Sequence, residues 1–293
     1  MWKSLRTFDT CITLNVAKPQ LQRKEREMSS VAGWQTTTVN SADVQRLAVR
    51  GVLPHPQTNA EIPELDLSVP ASFDFLGFNW HVLNAPLAVS FGGTLSPCTD
   101  AHQLAILLAQ AVVNNSDARE AVVVSGGGRG IDTAAHLGAL DMGGKTIAVL
   151  ANPVGYGLHP YIPRRSLLER SILAHRGGFV SEYRTYVENY MERAVDRGRI
   201  ITALSDMFIA IECSSNSTTV DCATRAKRQG RAVLAIDWAK FGKLHHQPKV
   251  DGFEALVSSE IGEPFPQSPV RDVTDPALRE QFQERLHILP GIA

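Results

Sequence analysis

The chain has 293 residues, of which 44% are hydrophobic and 20% charged, a composition typical of a soluble globular protein of one or two domains. Its formal net charge is −1, so any nucleic-acid site must be a local basic patch. No apolar run reaches the roughly 18–20 residues of a membrane-spanning helix. The four cysteines lack metal-type spacing and indicate free thiols. We expect a cytoplasmic protein without a membrane segment, metal or cofactor.

The first 84 residues are predicted to lie outside the main domain. Residues 1–30 are charged and lack periodicity, so we expect them to be disordered. Residues 31–84 form an N-terminal extension rich in proline, with one helix predicted near 41–52 and Ser41 as its cap. Segment 72–82 is rich in aromatic residues, which could stack on bases, but an arm docked on the core is the better interpretation.

A regular alternation of short apolar runs and longer helical patterns begins at residue 85. Strands are predicted at 86–91, 121–124, 146–150, 179–181, 207–212 and 232–237, and helices at 100–113, 131–142, 165–175, 188–204 and 218–229. This alternation predicts an α/β fold over 85–240, with a doubly wound, mostly parallel sheet and helices on both faces. The C-terminal tail, 241–293, is less regular, with one helix predicted over 275–289.

The most informative segment follows the second predicted strand and reads SGGGRGIDTAAH over residues 125–136. Glycines let the backbone approach a ligand closely, and a helix that begins directly after them offers free N–H groups to an anion. This segment predicts a phosphate site, with candidates Ser125, Gly126, Gly127, Gly128, Arg129, Gly130 and Asp132. Asp132 and His136 lie four residues apart, which favours a helix-stabilising carboxylate beside a packed histidine over an acid/base pair.

Several ordered motifs resemble those of one known family. The segment SGGGRGIDTAAHLGAL, followed by GGKTIAVL, is similar to the core signature of the DprA/Smf DNA-processing proteins, and further similar motifs follow: SEY at 181–183, RGRIITALSD at 197–206, SSNSTTVD at 214–221 and QGRAVLAID at 229–237. The resemblance covers about residues 85–240. It implies a Rossmann-like domain that binds single-stranded DNA during natural transformation and recombination, forms a homodimer and has a recombinase partner.

The resemblance also implies which residues hold the DNA. Arg197 and Arg199 occupy the positions of a family helix near the DNA groove, and the hydroxyl-rich turn with Ser215, Ser217 and Thr218 replaces a family Ser-Gly-Ser turn. Further arginines expected on the basic surface are Arg129, Arg225 and Arg231. The chain departs from the family at 90–94, where SFGGT stands in place of Gly-Ser-Arg, so one phosphate contact is expected to be lost.

A second hypothesis is a nucleotide-binding sensor, or a protein resembling nucleotide phosphoribohydrolases, on the same fold. Those hydrolases carry a Pro-Gly-Gly-x-Gly-Thr-x-x-Glu loop where this chain has SSNSTTVD, and Asp221 replaces the glutamate. The missing glycines weigh against an enzyme, so no catalytic residue is assigned. Glu182 and Glu212 are the carboxylates that a test of catalysis would target. A dinucleotide oxidoreductase is disfavoured because GGGRG is not G-x-G-x-x-G.

Overall fold

Short runs of valine, isoleucine and phenylalanine form most strands, because such side chains pack well on a sheet that is covered on both faces. The computed structural model describes residues 34–47, 67–115 and 120–289, and nine strands within these ranges form one sheet. The strands are β1 (Gln35–Asn40), β2 (Ser72–Gly77), β3 (Ala88–Gly92), β4 (Val122–Gly126), β5 (Lys145–Val149), β6 (Gly178–Ser181), β7 (Met207–Ala210), β8 (Ala232–Ile236) and β9 (Glu263–Phe265).

The strand order is β1-β2-β6-β5-β4-β3-β7-β8-β9. The strands from β6 to β9 in this order are parallel, whereas β2 is antiparallel to both β1 and β6. From β3 the chain first adds strands on one side and then, at β7, continues on the other. The predicted doubly wound α/β fold is thereby confirmed, and its topological switch point lies between β3 and β7, where such sheets form a ligand crevice.

Helices cover both faces of the sheet. They are α1 (Thr99–Val113), α2 (Ile131–Asp141), α3 (Arg165–Ala174), α4 (Met191–Asp196), α5 (Gly198–Ala203), α6 (Thr218–Arg228), α7 (Asp251–Ser258) and α8 (Pro276–His287). Alternate residues of one strand separate the faces: Val123 of β4 packs with α1, α2 and α8, while Val122 and Val124 pack with α5. Helices α6 and α7 lie over β7 and β8. None of the helices in the described ranges is long and apolar enough to cross a membrane.

The N-terminal extension contributes two strands to the sheet instead of the predicted helix. The helix expected near 41–52 is replaced by two 3-10 turns, Ser41–Asp43 and Gln45–Leu47, and its remainder lies outside the described residues, as does the segment 1–30. The first turn is capped by Asn40, not Ser41. The threonine-rich β1 escaped prediction because its side chains are mostly exposed and show no apolar alternation.

The aromatic segment 72–82 lies on the core, as expected. Phe73 and Phe75 of β2 are fully buried against the sheet, and Phe78 after the strand is half-exposed. Phe78 follows the pairing of Gly77 with Gly178, the first residue of β6. It therefore lies at the amino edge of the parallel strands, opposite the edge where ligands bind.

The C-terminal tail is more regular than its sequence indicates. Helix α8 corresponds to the predicted helix, with Asp275 as its cap. Helix α7 and strand β9 were not predicted, since the prolines around β9 are typical of a loop. β9 pairs with β8, and Phe265 of β9 is fully buried against Phe282 of α8, a contact that packs this helix on the short strand.

The single helix predicted over 188–204 is two helices. Helix α4 ends at Asp196 and α5 begins at Gly198, with Arg197 forming the junction. Glycine is a poor helix former. At Gly198 a side chain would also be crowded, because its Cβ would lie 2.5 Å from the Cys222 sulfur on α6.

Helices α1 and α2 pack closely at a glycine. A Cβ atom on Gly138 of α2 would lie 2.9 Å from the Ile106 Cα and 3.0 Å from the Ala109 Cβ, both on α1. The contact brings α2 against α1 and sets where α2 begins, at the carboxyl edge of the sheet.

We predict that Gly138→Ala lowers the free energy of unfolding by about 1–3 kcal/mol, because the added methyl overlaps the backbone of α1. At an exposed helical glycine the same change would instead stabilise by about 0.5–1 kcal/mol. Urea denaturation measures the difference, with the neighbouring, part-exposed Leu137→Ala as the control. A stabilised Gly138→Ala variant would contradict this packing.

Candidate nucleic-acid interface

A cleft of about 300 Å³ opens at the carboxyl edge of the parallel strands, beside the switch point. Its walls come from the turn after β3, the glycine turn after β4, the start of α4 and the turn before α6. The lining includes Gly93, Leu95, Gly128, Asp132, His159, Tyr190, Met191, Arg197, Ser217 and Thr218. The cleft therefore brings together several predicted site residues that are distant in sequence.

The glycines of the β4–α2 turn are required by close packing. A Cβ on Gly126 would overlap the Asp132 carboxylate and lie 2.6 Å from Arg197 Nη2, and one on Gly127 would lie 2.7 Å from Leu150. Gly130 has a φ of 77° and faces the Thr94 carbonyl, a conformation that favours glycine. These glycines let the turns after β3 and β4 touch.

Asp132 fills the position where an anion was expected to bind at the start of α2. Its carboxylate accepts a hydrogen bond from the Gly128 N–H at 3.1 Å and lies 3.1 Å from the Ser125 hydroxyl, which is also 2.8 Å from the Phe91 carbonyl. A carboxylate at a helix N-terminus is stabilised by the helix dipole. Ser125 and Asp132 thus hold the turn from within, and the free edge of the turn faces the cleft.

Arg197 lies beneath this turn. Its Nη1 donates to the Val149 carbonyl at 3.1 Å, and its Nη2 lies 3.7 Å from Asp132 Oδ2. The side chain is 14% exposed. Arg197 therefore ties β5 to the start of α2 and also contributes positive charge to the cleft that it lines.

The other predicted arginines occupy different environments. Arg129 is exposed at the tip of the glycine turn. Arg199 is buried and donates two hydrogen bonds to Glu182, at 2.7 and 2.6 Å. Arg225 and Arg231 are also buried and donate to the Asp196 and Ala203 carbonyls. Among these five arginines, Arg197 lines the cleft, and Arg129 is exposed directly after the lining residue Gly128.

The hydroxyl-rich turn before α6 also contains residues that line the cleft and one that does not. Ser217 is the N-cap residue of α6 but makes no side-chain capping bond, and it lines the cleft together with the exposed Thr218. Ser215 lies outside this lining, and its N–H donates to Asp251 Oδ2 at 2.8 Å. The hydroxyls of Ser217 and Thr218 and the N-terminus of α6 form this part of the cleft wall, and the Ser217 side chain also reaches the Cys213 thiol.

His136 supports the glycine turn from the core. Its Nε2 lies 2.9 Å from the Gly126 carbonyl and donates to it, and its Nδ1 lies 2.7 Å from the Thr146 hydroxyl, which itself donates to the Val123 carbonyl at 2.9 Å. Burial lowers the pKa of His136, which favours the neutral ring. Its two bonds go to Thr146 and Gly126 and not to Asp132, in keeping with the packed histidine favoured over an acid/base pair.

The two carboxylates considered for catalysis are engaged in holding the chain. Glu182 pairs with Arg199, and Glu212 accepts hydrogen bonds from the Cys98 N–H at 2.8 Å and the Lys249 N–H at 3.1 Å. The Glu182 bond connects the end of β6 to α5, and the Glu212 bonds connect the turns after β3 and β7 to the segment before α7.

Sequence reasoning assigned no ligand contact to His159 and did not single out Tyr190, and both residues line the cleft. Burial lowers the pKa of His159, and the positive charges of Arg129, Arg197 and Arg165 lower it further, so three arginines lie near this mouth of the cleft. Tyr190 comes from a segment without strand or helix periodicity, so no pattern in the sequence indicated that it reaches the cleft.

We predict that Glu182→Gln destabilises the fold by about 3 kcal/mol, because it leaves the buried Arg199 guanidinium without its counter-charge. The double variant Glu182→Leu/Arg199→Met removes both charges and should regain most of that loss. Urea denaturation of the three proteins tests this. Equal destabilisation of the single and double variants would show that the ion pair is not the cause.

Protein stability should fall as the pH drops below about 6.5, the usual pKa of histidine, because the unfolded chain gains a proton that folded His136 resists. In His136→Asn the slope of unfolding free energy against pH should be shallower between pH 5 and 6.5. It will not vanish, since the pKa values of His102 and His159 are also lowered. The exposed His81→Asn is the control, and an unchanged slope in His136→Asn would refute the assignment.

Comparisons with known proteins place this geometry in a family. The family model for DNA recombination-mediator protein A matches residues 79–260. The putative DNA processing protein DprA of Mycobacterium tuberculosis is 34% identical over 152 residues, 52% of this chain and 37% of that protein. The DNA processing protein DprA of Streptococcus pneumoniae is 37% identical over 117 residues, 40% of each protein. The chain thus spans about a third to a half of the length of its curated relatives.

Solved structures agree on the fold. DNA processing protein A from Helicobacter pylori, described in a single-stranded DNA binding mode, gives a TM-score of 0.59 at 20% identity, covering 86% of this chain and 98% of that one. DprA of S. pneumoniae gives 0.53 at 27% identity, covering 67% and 63%. The first likeness supports the fold alone, while the matched family model covers more than half of the chain. The chain belongs to the DNA recombination-mediator protein A family, which is the DprA/Smf membership that its motifs predict.

Proposed function

We propose that this chain binds single-stranded DNA along the cleft at the carboxyl edge of its sheet, and acts in DNA processing during natural transformation and recombination. The observation that carries the proposal is a glycine-walled cleft lined by Arg197, with the exposed Arg129 directly after the lining residue Gly128. Family membership and the single-stranded DNA binding of the H. pylori relative support it.

The candidate residues take different parts in this proposal. Arg129 contacts phosphate directly, and Ser217 and Thr218 offer a second phosphate contact at the start of α6, where hydroxyls and N–H groups favour anions. The buried Arg199 positions α5 through Glu182, and it does not face the DNA. Because Asp132 already occupies the start of α2, the phosphates follow the rim of the glycine turn and do not enter it.

The remaining parts of the proposal rest on family membership. We propose a homodimer with a recombinase partner, and a cytoplasmic location. Binding through arginine–phosphate contacts is independent of sequence and weakens as salt rises. Because the net charge of the whole chain is only −1, we expect these phosphate contacts to be limited to the rim of the cleft.

We predict that the full chain binds a fluorescein-labelled oligothymidylate at low salt and that Arg129→Ala weakens binding by about fivefold or more, since one charge-assisted contact is lost. Removal of one phosphate contact should also reduce the slope of log Kd against log salt by about 0.7. Fluorescence anisotropy over a salt series measures both quantities. The matched control is Arg176→Ala, an exposed arginine before β6 at the opposite edge of the sheet.

Two results would overturn the proposal. One is a folded wild-type protein that does not bind the oligonucleotide at low salt, after which mononucleotides become the ligands to test in the same cleft. The other is an equal loss of affinity in Arg129→Ala and Arg176→Ala, which would show a diffuse charge effect without a defined groove.

A further inference from the structure

We infer that five aromatic side chains beside the cleft form a platform on which nucleobases stack while Arg129 holds the phosphates. This aromatic platform consists of Tyr156, His159, Tyr161, Tyr186 and Tyr190. The inference rests on the proposed function and adds to it, because it assigns a surface for the bases where the cleft residues account only for the phosphates.

The five rings form two adjacent groups. Tyr156 and Tyr186 stack with ring centroids 4.5 Å apart and planes 11° apart. His159 contacts Tyr161 at 5.2 Å and meets Tyr190 edge-on at 5.7 Å. The groups adjoin in the chain, since Tyr186 of the first lies four residues before Tyr190 of the second.

The outer rings of the platform face solvent. Tyr161 is 77% exposed and Tyr186 is 48% exposed. Both residues lie on turns, where a ring can present a face without serving the core. Aromatic rings in such positions supply a large, flat contact area with few rotatable bonds, which suits bases of any sequence.

The two segments that carry the rings are fixed to each other. The Asn152 side chain accepts a hydrogen bond from the Val187 N–H at 3.1 Å and donates to the Val187 carbonyl at 3.4 Å. The Leu158 N–H donates to Glu169 on α3 at 2.9 Å. The backbone that carries the rings is therefore fixed before any ligand arrives, which reduces the entropy lost on binding.

The platform is continuous with the cationic mouth of the cleft. The His159 N–H donates to the Gly127 carbonyl at 2.9 Å, which joins the platform to the glycine turn, and His159 also lies within the field of Arg129 and Arg197. Flat rings bordered by arginine match a single strand, whose bases and phosphates lie on opposite sides of the sugar. This charge complementarity favours nucleic acid over an apolar protein segment.

Phe78 provides a matched comparison within the same chain. It is also half-exposed, but it lies at the amino edge of the strands, and Arg176 covers its ring at 5.4 Å. Substitution of Tyr161 and Tyr186 should therefore weaken DNA binding, whereas substitution of Phe78 should leave it unchanged.

The test compares two labelled single strands of equal length and charge, one of thymidylates and one of abasic residues. Wild-type protein should prefer the thymidylate strand. Tyr161→Leu/Tyr186→Leu should bind it about tenfold or more weakly, yet bind the abasic strand within about twofold of wild type, with an unchanged salt slope. Tyr161→Phe/Tyr186→Phe retains the rings and should bind like wild type, as should Phe78→Leu. The single variant Tyr161→Leu, at the most exposed ring, tests the platform if the double variant unfolds.

Each other outcome has a distinct meaning. Equal wild-type affinity for the two strands, or leucine variants that bind thymidylate like wild type, would overturn the platform and leave phosphate binding intact. An equal loss on both strands would show that the tyrosines only support the fold of the rim. Failure of the wild type to bind either strand would overturn the platform together with the proposed function.

Discussion

The site depends on a carboxylate at the start of α2. Asp132 takes the N–H of Gly128, approaches the Ser125 hydroxyl and lies 3.7 Å from Arg197, so it neutralises from inside the positive charge that glycine turns usually offer to a ligand. Gly126 must be glycine because this carboxylate and the Arg197 guanidinium occupy the space of a side chain. The result is a rigid floor, and ligand recognition is left to the groups around it.

The arginines of this protein have two separate roles: buried ones stabilise the fold, and an exposed one is available to a ligand. Arg199, Arg225 and Arg231 are buried and bonded to the chain, while Arg129 extends outward from the turn. A near-neutral protein can therefore carry a cationic groove, because a few oriented guanidinium groups at one edge matter more than the total count. The aromatic rings next to the groove supply contact area that adds no charge.

The central part of the fold was predictable because each buried strand is a short apolar run that a helical pattern follows. Strands at the edges were not: β1 is rich in threonine and β9 is three residues long with a proline inside. The glycine segment predicted where the site lies, but the sequence did not predict the hydrogen bonds within the site. The partner of Arg199 is 17 residues earlier in the chain, and the rings that flank Tyr190 come from two separate turns, so only the folded chain brings them together.

The proline in β9 has a consequence for how copies of the chain can meet. Pro264 has no N–H to donate, and β9 is the last strand on its side of the sheet. A neighbouring strand would find an interrupted row of donors there, and prolines at a sheet edge discourage such pairing. The sheet of one molecule therefore has a blunt end at β9, and contacts between copies that extend a sheet are directed away from it.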